Sequence, residues 1–228
     1  MLLKTSFWIY LELIASIAVI FPIIVGSFIV NKKDLITPYL TILIYCLIYA
    51  VCEIIGWYYV LHHWQNHFIL NTLAYIDTIF LGIYFYQILT TSLFRKIVIV
   101  LIVISLSLII WSHLATGRDY NRADSFAISI GNFALIAMSL LFFYQLLNNL
   151  DVKNILTYSH FWIVVGLLLY FSGAFFTFIF VEYVAFSQDK SINQYFQISA
   201  YLLFIQRIFL AIGLWFSKTP QQLSSSSK

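Results

Sequence analysis

Hydrophobic residues run along this chain in seven long blocks, roughly 7–30, 37–60, 68–90, 96–114, 125–147, 161–184 and 194–216. None of the blocks alternates apolar and polar residues as a barrel strand does. Continuous apolar runs of this length predict helices, and about 20 such residues cover a hydrocarbon core of about 30 Å. In lipid a backbone must satisfy its own hydrogen bonds. The pattern therefore predicts an all-α, polytopic membrane protein: a seven-transmembrane-helix bundle over residues 1–216. The polar linkers, 31–35, 61–67, 91–95, 115–124, 148–160 and 185–193, are too short to form a domain. The first block reads as a retained span rather than a signal peptide. It is long, contains Glu12 and Pro22, follows only Lys4, and has no clear small-x-small cleavage site. Pro22 is expected to kink its helix. The serine-rich stretch 217–228 reads as a short disordered cytoplasmic tail, and no kinase, cyclase or DNA-binding output domain is expected beside the bundle.

Composition changes the picture by exclusion. The 228 residues are 62% hydrophobic, 19% aromatic and 9% charged, against about 25% charged in an ordinary soluble domain. So few charges cannot clothe a water-soluble fold of this size, which excludes a soluble enzyme and a disordered chain. A net charge of +3 without a dense basic stripe excludes nucleic acid as a partner; the lipid bilayer is the expected surroundings. Lys32, Lys33, Arg95, Lys96, Lys153, Lys218 and Lys228 gather on one side of the spans, and Lys4, Arg118, Arg122 and Lys190 on the other. The excess of cations on cytoplasmic loops then predicts an outer N-terminus and an inner C-terminus, with Trp57, Tyr58, Tyr59 and Trp64 at the outer interface and Trp162 and Trp215 at the inner one. Cys46 and Cys52 stand six residues apart on one helix, about 9 Å along its axis, too far to bridge.

Ionisable side chains inside spans cost about 2.5–3.5 kcal/mol each on insertion scales, which makes them the functional candidates. They are Glu12, Glu53, Asp77 and Arg207, with Glu182 near a span end. Glu53 and Asp77 lie at similar depth on antiparallel neighbours, so a shared ligand, cation or proton site is expected there; bonding to Tyr, Ser or Asn of adjacent helices is the plainer alternative. Arg207 needs a carboxylate or several carbonyls, and an Asp77–Arg207 or Glu53–Arg207 pair is expected, as a helix lock or as the counter-charge of an anionic ligand. No cofactor and no metal are expected. The nearest approach to a metal site is His63 and His67, which would share a face if the helix continued through them; with His62 and His113 they could instead respond to external pH. Gly131, Ser172 and Gly173 suit close helix packing, and Asn132 beside Gly131 can also line a pocket. Phe85-Tyr86-Gln87 and Phe143-Tyr144-Gln145 repeat at the ends of the third and fifth blocks, 58 residues apart, with a weaker Phe204-Ile205-Gln206 in the seventh. A duplicated helix pair or an interfacial Tyr-Gln habit would both produce this.

Retinal binding is rejected, because no lysine lies between Lys190 and Lys218. The late blocks lack the histidines of ceramidase- and adiponectin-receptor-type hydrolases. Two-repeat sugar transporters carry Pro-Gln in equivalent spans, whereas here Pro-Gln stands only at Pro220-Gln221. The run Cys52-Glu53-Ile54-Ile55-Gly56-Trp57, then Asn71 and Asp77, then Phe161-Trp162 to Tyr170-Phe171-Ser172-Gly173, resembles compact seven-helix membrane proteins of Bacteroidetes-type bacteria. It is similar to the membrane input regions of some of their sensor histidine kinases. That resemblance implies a bacterial inner-membrane location and a sensing role through a separate cytoplasmic or membrane signalling partner. Two function classes stay open: a non-enzymatic receptor, and a small carrier using the same carboxylates. A polar path reaching both faces would mark the carrier, and a pocket closed at the inner side the receptor.

Overall fold

The computed structural model describes residues 2–30, 37–115, 123–148, 154–187 and 192–217, with side chains described for 10–28, 38–114, 123–148, 154–180 and 197–217. The tail 218–228, the side chain of Glu182 and most of the linker cations lie outside these described residues.

The elements in chain order are α1 (Leu2–Ile17), α2 (Ile20–Val30), α3 (Thr37–Leu61), α4 (His67–Ile76), a π-helical segment (Asp77–Leu81), α5 (Gly82–Ile88), α6 (Ser92–Ala115), α7 (Ser125–Asn148), a 3-10 turn (Ile155–Thr157), α8 (Ser159–Ser187) and α9 (Ile192–Phe216). They make seven spans long and apolar enough to cross a membrane: Tyr10–Phe28, Pro38–Leu61, His67–Ile88, Ser92–Leu114, Ser125–Asn148, Ser159–Phe180 and Gln197–Phe216. All described secondary structure is helical, and the chain is a multi-pass membrane protein. With seven crossings the start of the first span and the end of the seventh fall on opposite faces, here termed the N-terminal and the C-terminal face.

Two spans are broken, each for a local reason. The first parts at Ala18 and Val19, where Phe21 N–H reaches back only to the Ala18 carbonyl (3.1 Å). Pro22 has no N–H to donate and its ring crowds the carbonyl four residues earlier, which is that of Ala18. The third span widens into a π segment from Asp77 to Leu81. One extra residue per turn leaves the regular ladder incomplete, and Thr78 Oγ1 donates to the Ala74 carbonyl at 2.8 Å. The second span ends in a left-handed cap. His63 has φ +57°, its N–H reaches the Val60 carbonyl (3.0 Å), and Trp64 N–H reaches the Tyr59 carbonyl (2.9 Å); this is a Schellman closure. The helix therefore stops at Leu61 and restarts at His67, so His63 and His67 do not share a helical face.

α8 and α9 form the most extensive helix pair. A Cβ at Gly213 would stand 3.0 Å from the Ser159 carbonyl oxygen and 3.1 Å from the Ile163 nitrogen, and one at Gly166 would stand 2.6 Å from Phe209 Cβ. Glycine at these positions lets the backbones approach, and Ser159 Oγ donates to the Gly213 carbonyl at 2.5 Å. The first and fourth spans are the least buried, and Val100, Val103, Ile104 and Trp111 of α6 are about half exposed, as lipid-facing residues are.

Towards the C-terminal face the described centre of the bundle is filled with buried side chains, and an open apolar groove of Val25, Ala211, Ile212, Trp215 and Phe216 lies on its outside. Tyr39, Ile42, Tyr84, Phe85, Leu89, Phe142, Leu146, Val164, Leu167 and Leu214, from five of the spans, belong to one buried cluster. The Tyr-Gln repeats sit here as cross-helix ties. Gln145 accepts from the backbone N–H groups of Thr90 (2.9 Å) and Thr91 (3.2 Å) where α5 has ended, and Gln87 accepts from Thr41 (3.0 Å).

Candidate functional site

The polar centre is assembled near the middle of the spans. Asp77 opens the π segment, is buried, and its Oδ1 accepts from the Tyr45 hydroxyl at 3.0 Å. The widened turn brings α7 close. A Cβ at Gly131 would lie 3.1 Å from Thr78 Oγ1, so a glycine is what the approach allows. Beside it Asn132 is only 5% exposed, and its amide nitrogen has no hydrogen-bond partner.

Glu53 sits higher in the second span, half-buried, and its Oε2 accepts from Ser16 of the first span at 2.7 Å. Glu12, one turn before Ser16, lines the same cavity as Glu53. These groups line a cavity of about 290 Å³, together with Tyr49, Trp57 and Tyr170. Asp77 and Asn132 line a smaller cavity of about 130 Å³. The two share Tyr49, Leu70, Leu73, Tyr170 and Ser199 as walls and so adjoin. Glu53 and Asp77 are therefore placed in neighbouring compartments, with different hydrogen-bond partners, rather than side by side.

Arg207 is fully buried at the middle of the seventh span. Its guanidinium carbon lies 4.1 Å from the centre of the Tyr49 ring, a cation–π contact. None of its three guanidinium nitrogens meets an oxygen or nitrogen partner, although the buried Cys46 thiol lies beside them, and the adjacent Gln206 leaves both its amide atoms unpartnered. Among the described residues no ion pair joins Arg207 to Asp77 or Glu53. The expected lock is not formed, because Asp77 bonds to Tyr45, Glu53 bonds to Ser16, and the Tyr49 ring takes the place beside Arg207 that a carboxylate was expected to fill. Arg207 lines neither compartment.

Among the described residues, no three His, Cys, Asp or Glu side chains converge as metal ligands. His62 makes tilted ring contacts with Tyr58 and Trp64, while His67 is exposed. His113 faces Tyr75 at 3.1 Å.

Several contributors escaped the search for charged residues in spans. Tyr45 and Tyr49 are four apart on α3 and share a face; that spacing is visible in the sequence but is lost among 16 tyrosines. His160 lies inside the sixth span, not in the linker. It is buried, bonds to the Tyr84 hydroxyl at 3.0 Å and stacks on Tyr39 at 5.0 Å. Tyr158, just before that span, meets His160 edge-on, and burial together with Tyr39 pushes its phenol up to about 12. Asp124 is an N-cap: its Oδ1 accepts from Ala127 N–H (3.1 Å), its Oδ2 accepts from Ser112 (2.6 Å), and its own N–H donates to Asn71 (2.9 Å).

Fold and site together define a seven-span helical membrane protein with a polar centre buried near its midplane. No family model matches the chain, and no curated protein or solved structure matches it either.

Proposed function

We propose that this protein is a receptor or sensor module that takes a small ligand into the paired cavities around Glu53 and Asp77 and acts through a separate signalling partner. The observation that carries the reading is where the cavities stop. They occupy the half of the bundle towards the N-terminal face, from Trp57 and Asn66 down to Tyr49 and Asp77. Below them the described core is filled by Tyr84, Phe85, Phe142, Leu146 and Leu167, all buried. A carrier needs polar surface leading to both faces; a receptor needs a pocket with a floor.

The lysine and arginine count favours an N-terminus outside and the C-terminal face towards the cytoplasm, so the mouth opens outward. The resemblance to sensor-kinase input regions, and with it a bacterial inner membrane, supports the same reading. Reconstitution tests it. Proteoliposomes holding the full chain are expected to pass protons and small solutes no faster than protein-free vesicles. Flux that Glu53→Gln and Asp77→Asn abolish would make the protein a carrier.

A further inference from the structure

We propose that the ligand of the paired cavities is a small organic ammonium compound with a hydroxyl or similar donor–acceptor group at its far end; this deepens the receptor reading and rests on it. The larger compartment brings two carboxylates, Glu12 and Glu53, to a wall that also carries Trp57, Tyr49 and Tyr170. The smaller adds a third carboxylate, Asp77. Among the described residues no lysine or arginine lines either compartment, and Arg207 is held behind the Tyr49 ring. Asp77 is buried, Glu53 half-buried and Glu12 exposed at the rim; carboxylates that share such a cavity are costly unless a proton or a cation accompanies them. Aromatic faces beside carboxylates are the setting that binds ammonium groups.

The second, independent sign is Asn132. It is 95% shielded, lines the smaller compartment and has an amide nitrogen with no partner. A buried donor left unmade costs free energy, and a ligand oxygen would satisfy it. Asp77, whose Oδ1 is engaged by Tyr45, lines the same compartment and keeps Oδ2 as an acceptor. A hydroxyl can accept from Asn132 and donate to Asp77, while the ammonium meets Glu12 and Glu53. Anions are disfavoured by the same carboxylates. A bare metal ion is disfavoured too, because among the described residues no three ligands converge and the walls are largely apolar and aromatic.

An ammonium group of this kind belongs both to free amino alcohols and to the phosphatidylethanolamine headgroup. The test uses the full chain in discs of phosphatidylglycerol, with and without phosphatidylethanolamine, and reads the thermal unfolding midpoint and tryptophan fluorescence during titration with ethanolamine. Ethylene glycol serves as the neutral counterpart and acetate as the anion. Ethanolamine is expected to raise the midpoint saturably, and ethylene glycol and acetate are not. Glu53→Gln is expected to weaken binding at least about tenfold, and Glu53→Asp to restore it in part. Glu12→Gln, at an exposed position where folding is not at risk, is expected to weaken it also. If the lipid is the source, phosphatidylethanolamine alone raises the midpoint and added ethanolamine does nothing more. If the free compound is the source, its effect is equal in both discs.

Equal shifts with ethylene glycol, undiminished binding in Glu12→Gln and Glu53→Gln, or no shift in either disc would overturn the proposal. Ethanolamine binding accompanied by transmembrane flux would keep the ammonium site and overturn the receptor reading. Absence of both binding and flux would do the reverse.

Discussion

Arg207 is the residue on which expectation and structure part most clearly. A buried arginine was expected to hold a carboxylate, yet it rests on the ring of Tyr49 and its nitrogens meet no oxygen or nitrogen partner. Even a buried ion pair can often be replaced by apolar groups of similar volume without loss, and an arginine without a carboxylate partner has less to lose, whereas truncation leaves a void. Arg207→Met is therefore expected to keep or raise the thermal midpoint in detergent, and Arg207→Ala to lower it. Equal losses in both variants would mean that the charge itself holds the bundle. The candidates were legible because lipid makes every charge conspicuous. Their partners were not, because Tyr45, Tyr49 and Ser16 are chemically ordinary and only the helix rotations bring them to Asp77, Arg207 and Glu53. His63 belongs to the same scale. Its φ of +57° costs a residue with a Cβ about 1 kcal/mol, so His63→Gly is expected to stabilise the protein by roughly that amount in an unfolding titration.

At the scale of elements, the runs of apolar residues marked all seven spans to within a few positions, and Pro22 announced the break in the first. The π segment left no comparable mark. Nothing in Asp-Thr-Ile-Phe-Leu distinguishes a widened turn from a regular one, since the cause is the packing of α7 through Gly131 onto Thr78. Deleting Ile79, which is partly lipid-exposed, removes the extra residue and is expected to return the span to a regular helix. That rotates α5 against α4 and separates Asp77 from its neighbours. Hydrogen exchange at Asp77–Leu81 should then fall, while ligand binding is lost. The glycines of α8 and α9 behave differently from that of α3. Gly213→Ala sets a Cβ against backbone at 3.0 Å and is expected to destabilise by about 1–3 kcal/mol. Gly56→Ala meets only Ile69 at 3.6 Å and is expected to be neutral or to gain up to about 1 kcal/mol from helix propensity. Unfolding of the two variants side by side tests the contrast.

For the whole molecule, the class was legible from the scarcity of charge, whereas the uneven placing of the cavities needed the packed structure; the orientation proposed from the cations is a matter for labelling. With both cysteines replaced, a single cysteine at Gln65 is expected to react with a membrane-impermeant maleimide added outside intact cells, and one at Ser92 only after permeabilisation. The opposite pattern would invert the proposed topology. The broken and polar spans also bear on how the chain is made. The third and seventh spans are the two least apolar, and they carry Asp77 and Arg207 through the bilayer centre. As isolated helices they partition into lipid less readily than the other five. The seventh also emerges last, into a groove formed by the first span and α8, where its glycine-lined contacts await. Insertion of the seventh span is therefore expected to gain more from the presence of the earlier spans than insertion of the fourth, the most apolar of the seven.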